Sequence, residues 1–235
     1  MKQWKHRLAC LLSVLALLVS GVAQAAEAEL PVLSVNGEGS ALGSPDQAVV
    51  TISVTNHSPD AKTAQQENAA RAAAVQNAIR ALGIGGKEIQ TCNYSFYPTY
   101  SREKGRENEI NGYQAGNSIV VTVNNLELVG QVIDASLDSG ANQISSLDFR
   151  LRNTENLRKE ALNEAIRDAR SKAGIIAQGL GKRIVGIRNV SESTGSAGHR
   201  SYNMAMLAKS ADSTPIEAGT LALNATVHIE FLLSP

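Results

Sequence analysis

The sequence predicts an α+β fold in which antiparallel sheets carry helices on one face, in the order ββ-α-ββ-α-β-α-ββ. Two observations carry that prediction. Strand-like stretches alternate strictly between an apolar and a polar face, most cleanly where Ala225, Val227, Ile229, Phe231 and Leu233 oppose Thr226, His228 and Glu230. A sheet covered on one side only is the antiparallel habit. Three stretches of helical period lie between such strands, so hairpins and helices interleave instead of alternating singly.

Residues 1–25 read as an export leader. Lys2, Lys5, His6 and Arg7 make a basic start, residues 8–19 are apolar apart from Ser13, and Ala23-Gln24-Ala25 offers the small residues a signal peptidase reads. About a dozen apolar residues fall short of the roughly 20 that span a bilayer as a helix. Cys10 precedes the apolar core instead of closing it, which is not the place of a lipid-attachment cysteine. The expectation is a periplasmic protein cleaved near Ala25/Ala26 and released without a stable membrane anchor; an uncleaved N-terminal anchor is the alternative. Loss of Lys2, Lys5 and Arg7 takes the 22 basic groups to 19 against 22 acidic ones. That balance attracts neither nucleic acid nor an anionic membrane.

The mature chain of about 210 residues suits one large domain or two small ones, read here as one domain over 26–235 with two sub-lobes dividing near 125. A first hairpin is expected from 32–38 with 47–55, where Val50, Ile52 and Val54 share a face against Thr51, Ser53 and Thr55. The first helix follows Ser58-Pro59-Asp60, a cap with proline at or near the first turn. Its stripe is Ala72, Val75, Ile79 and Leu82, and Gly83 stops it. A second hairpin, 90–100 with 110–124, has a charged tip at 101–109. The second helix starts after Asn124-Asn125, uses Val129, Val132, Ile133 and Leu137, and ends at Gly140; the strand around Leu147, Phe149 and Leu151 follows. The third and longest helix begins near Asn153/Thr154, with Leu162, Ile166, Ala169, Ala173, Ile176 and Leu180 as its apolar stripe. Glu155 with Lys159 and Asp168 with Lys172 sit at i,i+4 on what reads as its solvated face. Final strands are expected at 183–191 and 217–232. Between them, 194–214 is an insertion rich in Ser, Gly and Ala, long enough to be functional or disordered.

Catalytic constellations are hard to find. His57, His199 and His228 show no metal-ligand spacing and no neighbouring cysteine, so no zinc site is expected. No Gly-x-Ser-x-Gly elbow occurs. Gly37-Glu38-Gly39-Ser40-Ala41-Leu42-Gly43 superficially resembles a dinucleotide loop, but its third glycine is one position late and a strand follows; it reads as a glycine-rich hairpin turn. No cofactor is expected. Cys92 alone survives leader removal, so an internal disulfide cannot form. Its neighbours Gln90, Thr91, Asn93 and Tyr94 include nothing basic, and a redox-active thiol needs a lowered pKa; a small half-buried strand residue is the preferred reading.

Aromatics are unevenly placed. Tyr94, Phe96, Tyr97, Tyr100 and Tyr113, five of the eight outside the leader, lie on the second hairpin. Tyr94, Phe96 and Tyr100 share one face and Tyr97 opposes them. Core packing accounts for one face; the other suggests an oligomer or ligand surface, where tyrosine is favoured. Met204, Met206 and Leu207 form an adaptable apolar patch in the insertion, either simple packing or a second contact surface.

Taken together these segments resemble the SIMPL-domain family, whose best-known bacterial members are periplasmic oxidative-stress-defence proteins and an immunogenic periplasmic antigen. Val35-Asn36-Gly37-Glu38-Gly39 with Ser44-Pro45-Asp46 looks like the family's opening hairpin. Leu82-Gly83-Ile84 with Ile89-Gln90-Thr91-Cys92-Asn93-Tyr94 is similar to its helix-to-strand passage. Gly112-Tyr113-Gln114-Ala115, Gly140-Ala141-Asn142-Gln143-Ile144 and Asp168-Ala169-Arg170-Ser171-Lys172-Ala173 fit what comes after. No single motif is specific; their order and spacing are. Cys92 stands where the family more often has serine, and Ala218 where proline is common before Gly219. The resemblance implies an α+β fold, a periplasmic setting, tolerance of oxidative stress, large ring-like or channel-like oligomers in some members, and no accepted catalytic residues. The leading expectation is therefore a non-enzymatic homo-oligomer in envelope stress. A ligand-binding module using the aromatic hairpin and an antioxidant acting through Cys92 are the alternatives.

Overall fold

The computed structural model describes residues 29–194, 198–200 and 214–235. The leader at 1–25 and the Met204, Met206 and Leu207 patch lie outside the described residues. In chain order the elements are β1 (Val32–Gly43), β2 (Gln47–Ser58), α1 (Ala61–Ala81), β3 (Ile89–Tyr100), β4 (Ile110–Val123), α2 (Val129–Asp138), β5 (Gln143–Arg150), α3 (Glu155–Gly179), β6 (Ile184–Thr194), β7 (Gly198–Arg200) and β8 (Thr220–Leu233). Short 3-10 turns at Gly86–Glu88 and Leu126–Leu128 lead into β3 and α2. The α+β class and the interleaved order are as the periodicity predicts.

The strands form two antiparallel sheets, β1-β8-β6 with β7 also on β8, and β3-β4-β2-β5. The second hairpin and the final pair form as expected, but the first does not. β1 runs along β8 from Val32↔Leu232 to Gly43↔Leu221, whereas β2 sits between β4 and β5 in the other sheet. The link 44–46 therefore carries the chain from one lobe to the other. Asp46 fixes it: its N–H donates to the Arg150 carbonyl at 3.1 Å, and its carboxylate accepts the Arg152 N–H at 2.8 Å and Nε at 3.2 Å. The outgoing and returning crossings are thus clasped side by side. Those contacts, the Arg152 N–H foremost, hold the Asp46 carboxyl below its ordinary range. β5 pairs with β2, so the chain passes between the two sheets at 44–46 and again at 151–154, while Thr214 bonds to Asp134 and Ile216 packs against the core of the second sheet.

Each lobe has its own core. In the second sheet Val50, Ile52, Val54, Ile119 and Val121 lie under Val75 and Ile79 of α1 and Val129 and Val132 of α2. Asp60 caps α1, its carboxylate accepting the Thr63 N–H at 2.8 Å; Pro59 therefore precedes the cap instead of occupying the first turn. Gly83 takes φ +86 just beyond the helix end, a conformation only glycine adopts cheaply.

The first sheet is packed differently. Val35, Val227, Ile229 and Phe231 lie under Ala161, Ala165, Ala169 and Ala173 of α3. The buried stripe is thus a row of alanines in steps of four from Ala161 to Ala177; of the expected row Ala169 and Ala173 lie on it, whereas Leu162, Ile166, Ile176 and Leu180 do not. Leu162 and Ile166 flank the core, while Ile176 and Leu180 are exposed. The cause lies on β1. A Cβ at Gly37 would stand 2.1 Å from the Ala165 carbonyl oxygen, and one at Gly39 2.1 Å from that of Ala161. Gly37–Gly39 is therefore strand, not a hairpin turn, and its bare backbone lets α3 lie directly on it, where only alanine fits.

Candidate assembly surface on the second sheet

α1 lies over β2 and β4, which leaves the edge strand β3 bare. Register puts Tyr94 opposite Asn117, Phe96 opposite Ala115 and Pro98 opposite Tyr113, on the face that β4 turns toward α1. Tyr97, opposite Gln114, points to the reverse face. Tyr94, Phe96, Tyr97 and Tyr100 are 54, 40, 45 and 52% exposed, so both faces of the ribbon present aromatic surface to solvent. Tyr113 is the exception. It is half-buried and stacks on Phe96, with centroids 5.8 Å apart and planes 14° from parallel. Beyond the aromatics, Arg106 bridges Glu103 at 3.2 Å and Glu109 at 2.7 Å, and the Ser101 N–H donates to the Glu109 carbonyl. That tip closes the ribbon with polar contacts and leaves Tyr94 to Tyr100 uncovered.

Behind the ledge, beneath α1, three asparagines cluster. Asn68 donates to the carbonyls of Val54 at 3.0 Å and Ala115 at 3.2 Å, and Asn56 to that of Ala64 at 3.0 Å. The Oδ1 atoms of Asn56, Asn68 and Asn117 are buried without a partner. The Asn56 and Asn68 donors tie helix to sheet next to the aromatic edge.

Cys92 is exposed, not half-buried. It falls at the β3 irregularity between Thr91 and Asn93, and its thiol donates to the Ser118 carbonyl at 3.4 Å. A serine hydroxyl can make the same bond. Cys92→Ser should leave the urea midpoint and the particle mass unchanged; a folded variant that fails to complement a deletion strain under peroxide would turn the weight to thiol chemistry.

The histidines serve as ties between strands. His57 donates through Nε2 to Thr99 Oγ1 at 2.9 Å, because the Thr99 hydroxyl is committed to Asn111 Oδ1 at 2.7 Å. His228 donates through Nδ1 to Asn36 Oδ1 at 2.8 Å. The His199 side chain lies outside the described residues. Among the described residues no three His, Cys, Asp or Glu side chains group as metal ligands would, and no helix is long and apolar enough to cross a membrane. Two clefts stand out. One of about 390 Å³ is lined by Glu38, Ser40, Glu164, Asn224 and Thr226, and one of about 190 Å³ by Ile84, Glu88, Thr122, Val123 and Leu128. Neither touches the hairpin aromatics.

A second bare surface escaped the sequence reading. α3 covers β1 and β8 and meets β6 only slightly; Ile184, Ile187 and Val190 are exposed, as are Ile176 and Leu180. The paired Ile175-Ile176, off the alanine stripe, was the available signal.

Fold and surface together define a two-lobed α+β domain whose distinctive exterior is a bare aromatic strand edge. The chain belongs to the SIMPL family, described as a protein of unknown function (DUF541), which it matches over residues 33–231. It is similar to the 26 kDa periplasmic immunogenic protein of Brucella melitensis biotype 1, 29% identical over 208 residues that cover 85% of this chain and 83% of that one. The uncharacterized protein YggE of Edwardsiella ictaluri is 32% identical over 178 residues, 72% of this chain and 74% of the relative. YggE of Escherichia coli K12 is 27% identical over 169 residues, covering 71% and 68%.

Proposed function

We propose that this chain is exported to the periplasm, loses residues 1–25, and acts there as a non-enzymatic homo-oligomer in defence against oxidative and envelope stress. The leader pattern and the periplasmic name of the Brucella relative support the location. The carrying observation for assembly is the ledge of Tyr94, Phe96, Tyr97 and Tyr100, exposed on both faces of one ribbon. Apolar surface of that kind on a lone subunit is an aggregation hazard that symmetric burial removes. Met204, Met206 and Leu207 are given the same role on composition alone. Neither nucleic acid nor a cofactor has a part in this reading. The two clefts described do not themselves support the ligand-pocket alternative, since neither is lined by the hairpin aromatics.

Protein recovered from the periplasm should begin near Ala26 and scatter light as an oligomer at tens of micromolar. Tyr94→Ser/Phe96→Ser/Tyr97→Ser should lower the particle mass toward the subunit while far-UV CD is kept, and should complement a deletion strain poorly under peroxide. A wild-type monomer at that concentration would refute the assembly reading. Full-length chain in the soluble cytosol would refute the export reading.

A further inference from the structure

The outer edge of β1 is occupied by side chains. Alternate residues of β1 turn their backbone groups away from β8, and α3 meets them with three residues one turn apart. Glu164 Oε2 accepts the Ser40 N–H at 2.7 Å, Asp168 Oδ2 accepts the Glu38 N–H at 2.8 Å, and Lys172 Nζ donates to the Asn36 carbonyl at 3.2 Å. The match is geometric. Four helical residues rise about 6 Å and two strand residues about 6.6 Å, so row and ladder stay in step over three contacts. Lys172 also pairs with Asp168 at 2.7 Å. That hydrogen bond first, then the Glu38 N–H, holds the Asp168 carboxyl below its ordinary range, so it is ionised at neutral pH. The charge run that reads as a solvated face is therefore partly committed to the strand edge.

Stability alone gives little reason for this row. Backbone groups at an exposed edge can bond to water, and exposed ion pairs contribute little. What water cannot do is keep another strand away. An open edge is a template for strand addition, and natural sheets block it with charge or covering elements. Here the covering element supplies the missing ladder partners itself.

We propose that Glu164, Asp168 and Lys172 form an edge seal that denies β1 to an incoming strand from a second copy of this chain. Self-association is thereby kept off this edge and left to other surfaces. The seal goes beyond the assembly reading and does not depend on it, since it applies equally to a subunit that never assembles.

The test is Glu164→Ala/Asp168→Ala/Lys172→Ala in the full mature chain, with alanine chosen because it favours the helix. Hydrogen exchange in peptides covering 36–41 should quicken at least about tenfold once the charge-assisted bonds are gone. Light scattering should show new, concentration-dependent mass above the wild-type value. Adding Ser40→Pro should abolish that extra mass, because proline removes an edge donor that points away from β8 and so spares the β1–β8 ladder. Faster exchange with an unchanged mass distribution would overturn the proposal, and so would extra association that survives Ser40→Pro. Should the triple variant lose its far-UV CD, Glu164→Ala alone, which frees only the Ser40 N–H, decides by the same readouts. Failure of either kind leaves the aromatic-ledge reading untouched, since that is measured on variants of β3.

Discussion

Valine at Gly37 should cost the protein about 3 kcal/mol or more, a large part of the 5–15 kcal/mol that holds a typical domain together. A Cβ at Gly37 would meet the Ala165 carbonyl oxygen at 2.1 Å and the Ala169 Cβ at 2.6 Å. Both neighbours are helix backbone or the stub of an alanine, so no rotamer change can make room. α3 would have to lift from β1, opening the contacts of Ala161, Ala165, Ala169 and Ala173 together. It would also pull Glu164 and Asp168 off the strand edge. Gly174 supplies the contrast. It lies on the exposed side of the same helix, and a Cβ there meets nothing within 4 Å. Gly174→Ala should therefore stabilise by about 0.5–1 kcal/mol through helix propensity. Urea midpoints followed by CD measure both. A Gly37→Val midpoint equal to wild type would mean that α3 does not lie as close to β1 as these distances require.

The same glycines mark where sequence reasoning reached its limit. Strict alternation in β8 and in β4 names the buried face correctly, since Val227, Ile229 and Phe231 are buried and Thr226 is exposed. Helix positions and stops also follow from local residues, Asp60 at one cap and Gly83 beyond the other end. Partnership between β1 and β8 does not, because the two strands lie some 190 residues apart and alternation says which side faces inward, never what lies alongside. Ser44-Pro45-Asp46 suits a hairpin turn as well as a crossing between lobes. The stripe of α3 was misread because hydrophobicity favours Leu162 and Ile176, whereas close approach to Gly37 and Gly39 selects for size. Edge exposure is likewise a property of where helices come to rest. Tyr94 and Tyr97 could be recognised as surplus to one face, but that α1 rests over β2 and β4 and so leaves Tyr94 uncovered on its own face is not written locally. Cys92 is exposed together with Gln90, Thr91, Asn93 and Tyr94 because β3 is an edge strand, and no local pattern announces an edge.

Asn68→Asp tests the joint between α1 and the second sheet, and should be nearly as damaging as the valine at Gly37. Asn68 is fully buried, and its Nδ2 serves carbonyls on two different strands, Val54 of β2 and Ala115 of β4. Turning the amide over would set Oδ1 against both carbonyl oxygens, so its orientation is fixed by chemistry as well as by fit. Aspartate keeps the shape and loses both donors. At neutral pH it would also place a charge in a site where the Oδ1 atoms of Asn56 and Asn117 already lack partners. An uncompensated buried charge of that kind costs at least about 3 kcal/mol. The pH dependence has a definite sign. Desolvation and the facing carbonyl oxygens raise the folded-state pKa of the introduced carboxyl above its unfolded value of about 3.9. Folding then takes up a proton, so the variant is least impaired near and below pH 4, where a protonated oxygen can still donate to one carbonyl. The deficit relative to wild type should widen by up to about 1.4 kcal/mol per pH unit above that, until the folded-state pKa is passed. Leucine at the same position removes the unpartnered oxygen together with the donors and introduces no charge, so its deficit should be smaller at pH 7 and flat with pH. Urea titrations of both variants at pH 4, 5.5 and 7 separate these cases, and a flat profile for Asn68→Asp would show that residue 68 is not closed off from water under α1.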